Sequence, residues 1–310
     1  MHPAGPDNAA NLPRLLRRRR IVDRCFFFLG ALLVVLCMSV LVILVGDLVR
    51  DAMPRLRPDF FTNFPSRRPA EAGMKSALVG TCLVMLVTAA VAVPLGIAAG
   101  VYLEEYARKN WFTTAVEINI ANLAGVPSIV WGLMALGLLV YQFNMGRNIL
   151  TAGLTLGFLV LPVVIVATRE SVRAVPQGLR EGSYACGATR WQTVQRLVIP
   201  SSLGGILTGC ILALSRAVGE TAPLITIGAL TYIAFLPPAP VKSTPPFVSL
   251  EWLSSEFTVL PIQLFNWVSR PDPRFIANAA AAGVVLLAIT LTMNATAILL
   301  RYRLRKKYAV

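Results

Sequence analysis

An all-α polytopic membrane protein with six transmembrane helices is the fold class this sequence predicts. Three observations carry it. Of 310 residues, 56% are hydrophobic and only 14% charged, against about 25% charged in soluble domains. Six charge-free or nearly charge-free runs reach the roughly 20 residues that a spanning helix needs. The 29 Lys and Arg, against 15 Asp and Glu, fall almost entirely between those runs, as the basic loops of polytopic proteins do.

The first run, 25–46, follows a basic tail containing Arg14 and Arg17 to Arg20. A signal peptide is the rival reading. Twenty-two residues without a charge exceed a typical signal core, and no clear small-x-small cleavage site follows. The expectation is a disordered basic tail over 1–22 and a retained signal-anchor helix over 23–50. The second run, 76–103, opens a core domain expected over 75–302. The third and fourth, 118–146 and 148–168, are separated only by Arg147, which predicts a tight hairpin. The fifth is 203–236 and the sixth 275–300. Gly pairs at helix-packing spacing (Gly96 and Gly100, Gly153 and Gly157, Gly205 and Gly209) predict close helix approach. Pro94, Pro127, Pro162 and Pro223 lie inside runs and predict kinks.

Six spans put both termini on one side. With termini cytoplasmic, that side holds eighteen Lys and Arg in tails and loops, against ten opposite. The basic loop 50–75 works against this orientation. Segment 169–200 is then cytoplasmic and segment 237–274, with eight prolines, external. Within the latter, residues 247–253 are too short to span. They predict an interfacial helix with Trp252 and Trp267 at headgroup depth, or a contact for an external partner.

Composition also excludes classes. The formal charge of +14 has little aromatic interleaving, so it reads as topology and argues against nucleic-acid binding. His2 is the only histidine, which removes histidine-based catalysis. Cys25, Cys37, Cys82, Cys186 and Cys210 show no metal-ligand spacing, and no disulfide framework or metal site is expected. No phosphate-cradling Gly-x-x-x-x-Gly-Lys-Ser/Thr loop is present, so the chain is not expected to hydrolyse ATP itself.

The run 203–236 carries two charges, Arg216 and Glu220. Each costs about 2.5–3.5 kcal/mol on insertion scales. Four residues apart on a helix they share a face and can pair. They are candidates for lining the path of a charged solute, or for a static ion pair joining helices. Ser215 and Thr221 offer hydroxyls beside them, or bond their own backbone. Arg169 ends the run 148–168, as a second pathway residue or as an ordinary snorkelling arginine.

Segment 176–200 contains Glu181-Gly182-Ser183-Tyr184-Ala185-Cys186-Gly187, then nine residues, then Leu197-Val198-Ile199-Pro200. Gly187 permits a turn between two short helices, and Pro200 can open the next one. Tyr184 and Trp191 supply large apolar bodies for docking, or lie on the membrane surface.

The spacing from Glu181 through Gly187 to Pro200 resembles the coupling loop of ABC importer permeases: Glu-Ala-Ala, three residues, Gly, nine residues, Ile-x-Leu-Pro. Gly182 and Ser183 replace the two Ala, and Leu197 and Ile199 replace Ile and Leu. The resemblance implies the type-1 ABC importer permease fold. It also implies that Glu181, Tyr184, Gly187 and Trp191 face a groove of a cytoplasmic ATPase subunit. Three further stretches are similar to phosphate-specific permeases, nearest the PstA type. They are Pro94-Leu95-Gly96 with Val101-Tyr102-Leu103-Glu104-Glu105-Tyr106, the stretch Asn122 to Leu133, and Arg216-Ala217-Val218-Gly219-Glu220-Thr221-Ala222-Pro223. The implied assembly has a PstC-type second permease, two ATPase copies that carry ATP and Mg, and an external phosphate-binding protein, in the inner membrane. Phosphate suits Arg216, since a guanidinium binds its oxygens bidentately and keeps its charge. Sulfate, phosphonate or molybdate are rival cargoes. A channel or ion-coupled transporter needs no coupling loop, and a membrane enzyme lacks a visible nucleophile dyad.

Overall fold

A computed structural model describes residues 6–240 and 249–307. The described residues contain helices and no strand. Residues up to Asp51 form one unit and those from Ala52 onward a second.

In the first unit the described residues form helix α1, Pro6–Ala52, whose last residue belongs to the second. The tail expected to be disordered is therefore helical from Pro6. Its Leu and Arg residues are strong helix formers, and extending an existing helix costs no new nucleus.

In the second unit, α2 (Pro58–Thr62) precedes α3 (Lys75–Val101), which runs on into a π-helical turn at Tyr102–Tyr106. Helix α6 (Ile149–Arg173) is the most buried span, and α9 (Ile199–Val218) and α12 (Phe275–Lys307) complete the straight ones. α3 and α9 both pack on α6, and α12 packs on α9. The Gly pairs explain the close approach. A Cβ on Gly96 would lie 2.5 Å from Val164, and one on Gly100 2.6 Å from Thr168. Gly205 and Gly209 meet Ser171 and Ala167 of the same helix.

Two apolar runs do not form the single spans expected of them. The run 118–146 is α4 (Trp111–Ala124) and α5 (Ser128–Ala135), the latter extended by a π-helical stretch to Gln142. The two parts are bent by 103° at residues 125–127. Pro127 donates no amide and keeps Val126 out of helical geometry, so a kink becomes a break. The run 203–236 stops being helical at Val218. Gly219 and Pro223 bracket the stop, and only the short α10 (Ala222–Ile227) follows, ending at Gly228 with φ +97°.

The segment 237–274 also departs from expectation. Trp252 and Trp267 are buried in protein, not turned outward as interfacial anchors would be. The short 3₁₀ turn Glu251–Ser254 and α11 (Leu260–Val268) fold back into the end of the bundle. α11 packs on α12 and α3. The Leu260 amide donates to Thr81 Oγ1 at 2.9 Å, and Trp267 packs on Phe60 at 5.6 Å between centroids. Each indole buries a large apolar body there, although the Trp267 N–H is buried without a hydrogen bond. Lys242 and residues 247–248 lie outside the described residues, as does His2.

The basic loop 50–75 has a structural use. Arg55 donates to Asn278 Oδ1 and to the carbonyls of Ala70 and Ala72, at 2.6–2.7 Å. Burial pushes its guanidinium below its ordinary pKa. Lys75 lies over the Phe64 ring and Arg270 over Phe275. These cations hold loops in place.

Candidate functional site

Arg216 sits in the last turn of α9, where a cation complements the helix dipole. Its Nε is 3.5 Å from Glu220 Oε1. The pair forms although Glu220 lies beyond the helix. The amides of Gly219 and Glu220 bond the carbonyls of Arg216 and Ala217 at 3.1 Å, which continues the turn past Val218. The Arg216 side chain is 62% exposed and Glu220 17%. Thr221 donates to the Gly219 carbonyl at 3.4 Å, a bond to local backbone. Ser215 is buried on the packing face of α9, away from the exposed Arg216.

Arg216 lines a cavity of about 20 Å³ with Leu123, Ser128, Trp131, Val160 and Ala213. Ser128 is the first residue of α5, just past the break in the bent span. The volume admits about one water molecule. Sequence reasoning missed Ser128, because the break that exposes it was read as a kink.

Arg169 belongs to a different cluster. Its guanidinium is 2.7 Å from Glu117 of α4 and 3.6 Å from Glu104 of the π-helical turn, and its side chain is 13% exposed. Its Nε is buried without a hydrogen bond. Glu104 also takes two hydrogen bonds from Arg173, at 2.9 and 3.0 Å. An ordinary snorkelling arginine would face water, and Arg169 does not.

The loop 176–200 builds two helical segments around Gly187. Helix α7 is Gln177–Ala185, and α8 (Arg190–Thr193) is not the separate short helix expected, since it runs on through a π-helical turn, Val194–Val198, into α9. Gly187 has φ +82°, a conformation few side chains adopt. Thr189 and Gln192 form a capping box that starts α8. Ser183 Oγ lies 2.9 Å from Thr193 Oγ1 and ties the two helices. Glu181, Gly182, Tyr184 and Trp191 are exposed, and Pro200 is the second residue of α9. The loop therefore presents a carboxylate and two aromatic bodies at one end of the bundle.

Behind this surface lies a buried ion pair that sequence reasoning also missed. Arg180 of α7 bonds Glu105 Oε1 at 2.9 Å through one nitrogen and 3.2 Å through another. It also donates to the carbonyls of Val172, at 2.8 Å, and Val175. Arg190 lies over the Tyr106 ring at 5.2 Å and donates to the Glu105 carbonyl. The available signal was Glu104-Glu105 directly after an apolar run, with a basic residue just before Glu181.

Residues 92–309 match the family described as binding-protein-dependent transport system inner membrane component. A probable ABC transporter permease protein of Bacillus subtilis, YqgI, is 31% identical over 282 residues, covering 89% of this chain and 95% of that one. The phosphate transport system permease protein PstA 1 of Mycobacterium tuberculosis is 31% identical over 230 residues, covering 74% and 71%. PstA of Xylella fastidiosa is 28% identical over 295 residues, covering 94% and 96%. Among solved structures, a bacterial ABC transporter that imports alginate superposes with TM-score 0.58 at 13% identity, covering 93% of this chain and 99% of that one. The inward-facing MetNI methionine ABC transporter gives 0.56 at 16%, covering 73% and 93%. The fold is that of type-1 ABC importer permeases, and the chain belongs to the family of inner membrane components of binding-protein-dependent transport systems.

Proposed function

We propose that the chain is the PstA-type permease subunit of an ATP-driven importer of inorganic phosphate. The observation that carries the reading is Arg216. It is a permanent cation at the end of a membrane span, beside the break in a bent span, opposed by one carboxylate at 3.5 Å and open over most of its surface. Discontinuous spans are a recurrent way of building anion sites in transporters. Phosphate offers several acceptor oxygens to such a fork. Glu220 holds Arg216 when the anion is absent and gives way when it arrives. A space for about one water does not admit phosphate, so α4–α5 and the end of α9 separate during each transport cycle. Relatives named as phosphate transport permeases support the cargo.

The remaining parts follow from this role. A PstC-type permease completes the pathway, two ATPase copies bind ATP and Mg, and an external protein delivers phosphate. The exposed loop with Glu181, Tyr184, Gly187 and Trp191 docks the ATPase. Both termini lie in the cytoplasm of a cell with this protein in its inner membrane. Three cations on the opposite side, Arg55, Lys75 and Arg270, also make loop contacts. Thr221 serves the pathway more remotely, as a nearby hydroxyl, while Arg169 ties α6 to α4 and to the end of α3.

The test is uptake by vesicles that hold the assembled complex with its ATPase and binding protein. Labelled phosphate is expected to accumulate with ATP, and excess sulfate, molybdate or phosphonate not to compete. Competition by one of those anions at equal concentration would transfer the assignment to it. Uptake by this chain without any ATPase would overturn the class.

A further inference from the structure

Glu104 and Glu105 are neighbours on one π-helical turn, yet they hold different parts of the molecule. Glu105 reaches Arg180 of the exposed loop, and its carbonyl accepts from Arg190. Glu104 reaches Arg173 and Arg169 on α6. Arg180 itself is bonded to Val172 and Val175 at the end of α6. Three segments, α7 and the ends of α3 and α6, thus converge on one guanidinium. Arg180 and Glu105 are both more than nine-tenths buried.

A surface pair of this kind would add little, because solvent screens it. A buried one is strongly coupled, and losing either partner strands a charge. The loop therefore cannot shift alone without breaking these bonds. The contact at the edge of this body is different in kind. Arg169 meets Glu117, on α4, at 2.7 Å, while its buried Nε has no hydrogen bond. α4 leads directly to the break at residues 125–127 and so to the cavity beside Arg216.

We propose that Glu105 and Arg180 are positioning residues that bind the loop 176–200 to the ends of α3 and α6 as one rigid body, so that displacement of the loop reaches α4 through the Arg169–Glu117 pair. This rests on the reading above that an ATPase subunit moves the loop. Neither residue touches the cargo. Their role is to make the stroke of the loop arrive at the bent span undiminished.

The experiment uses the full complex in vesicles with binding protein loaded with inorganic phosphate. It reads three quantities: assembly of the complex, stimulation of ATP hydrolysis by the loaded binding protein, and phosphate moved per ATP. Glu105→Gln is expected to assemble and to lose at least about fivefold in both stimulation and phosphate per ATP. Because that variant strands the Arg180 charge, the double variant Glu105→Leu with Arg180→Met keeps the test sharp. Apolar replacement of a whole buried pair is often neutral for folding, so assembly and thermal stability are expected to hold while coupling stays low. Wild-type coupling in the double variant would overturn the proposal. Failure of both variants to assemble would also overturn it, by making the pair a folding staple. If wild-type complex responds to sulfate-loaded and not phosphate-loaded binding protein, the cargo assignment fails, and the coupling ratio is measured with sulfate instead.

Discussion

Arg216 and Arg169 are both arginines at the ends of membrane spans, and the structure treats them oppositely. Arg216 has one carboxylate at 3.5 Å and a side chain 62% exposed. Arg169 has Glu117 at 2.7 Å and Glu104 at 3.6 Å, and is 13% exposed. On the proposed function, a cation with one distant partner exchanges it for an anionic cargo. A buried cation between two carboxylates is committed to holding helices. Burial and the number of partners separate the roles, and sequence position does not.

The largest effect should come from Arg216→Gln. Phosphate uptake is expected to fall at least about a hundredfold with assembly intact, since the interaction lost is with the moving anion. Normal uptake would sink the pathway role, and lost assembly would make the pair a static tie. Arg169→Gln should invert that pattern. It leaves Glu117 without its partner, while Glu104 keeps Arg173, so the complex should lose about 1–3 kcal/mol of stability, read as a lower melting temperature, with phosphate affinity little changed. A variant with normal melting and weakened phosphate binding would merge the two arginines into one site.

Glu220→Gln sharpens the Arg216 side of the comparison. Without its competitor, Arg216 should hold phosphate longer, so turnover falls severalfold while half-saturation shifts to lower phosphate; rapid-quench efflux checks this. An increase in half-saturation would show that Glu220 shapes the site instead of releasing the cargo. The smallest effect should come from a third pair, Asp272 with Arg274, at 2.9 Å but at the surface, with the Arg274 side chain 79% exposed. Hydrogen bonds from Arg274 hold the Asp272 carboxyl below its ordinary range. Any stabilisation is therefore present at neutral pH and fades as pH falls through that lowered value. Asp272→Asn should leave the melting temperature at neutral pH unchanged within error. A clear drop would show that distance matters more than burial in this protein.

Much of the fold was legible as hydropathy. Runs 76–103, 148–168 and 275–300 correspond to α3, α6 and α12, because about 20 apolar residues have only one low-energy arrangement across a bilayer. The turn at Gly187 was legible too, since it depends on local backbone chemistry; Pro200, expected to open a helix, instead lies within one that runs unbroken from Arg190 to Val218. Runs 118–146 and 203–236 were misread as continuous spans. Hydropathy reports what can be buried and is silent on where a helix breaks. Trp252 and Trp267 were misplaced for a related reason. An indole is equally at home at an interface and in a core, and only the folding back of α11 chose the core.

At the site, the sequence by itself determined which charges stand in the membrane and which spacing defines the loop 176–200. Those are matters of composition and local geometry, written residue by residue. The tertiary structure alone decided who pairs with whom. Arg169 with Glu117, and Arg180 with Glu105, join residues 52 and 75 positions apart. No periodicity connects such partners. They meet because Gly96 and Gly100 let α3 close on α6, because a π-helical turn points adjacent carboxylates at different arginines, and because Pro127 turns α4 aside.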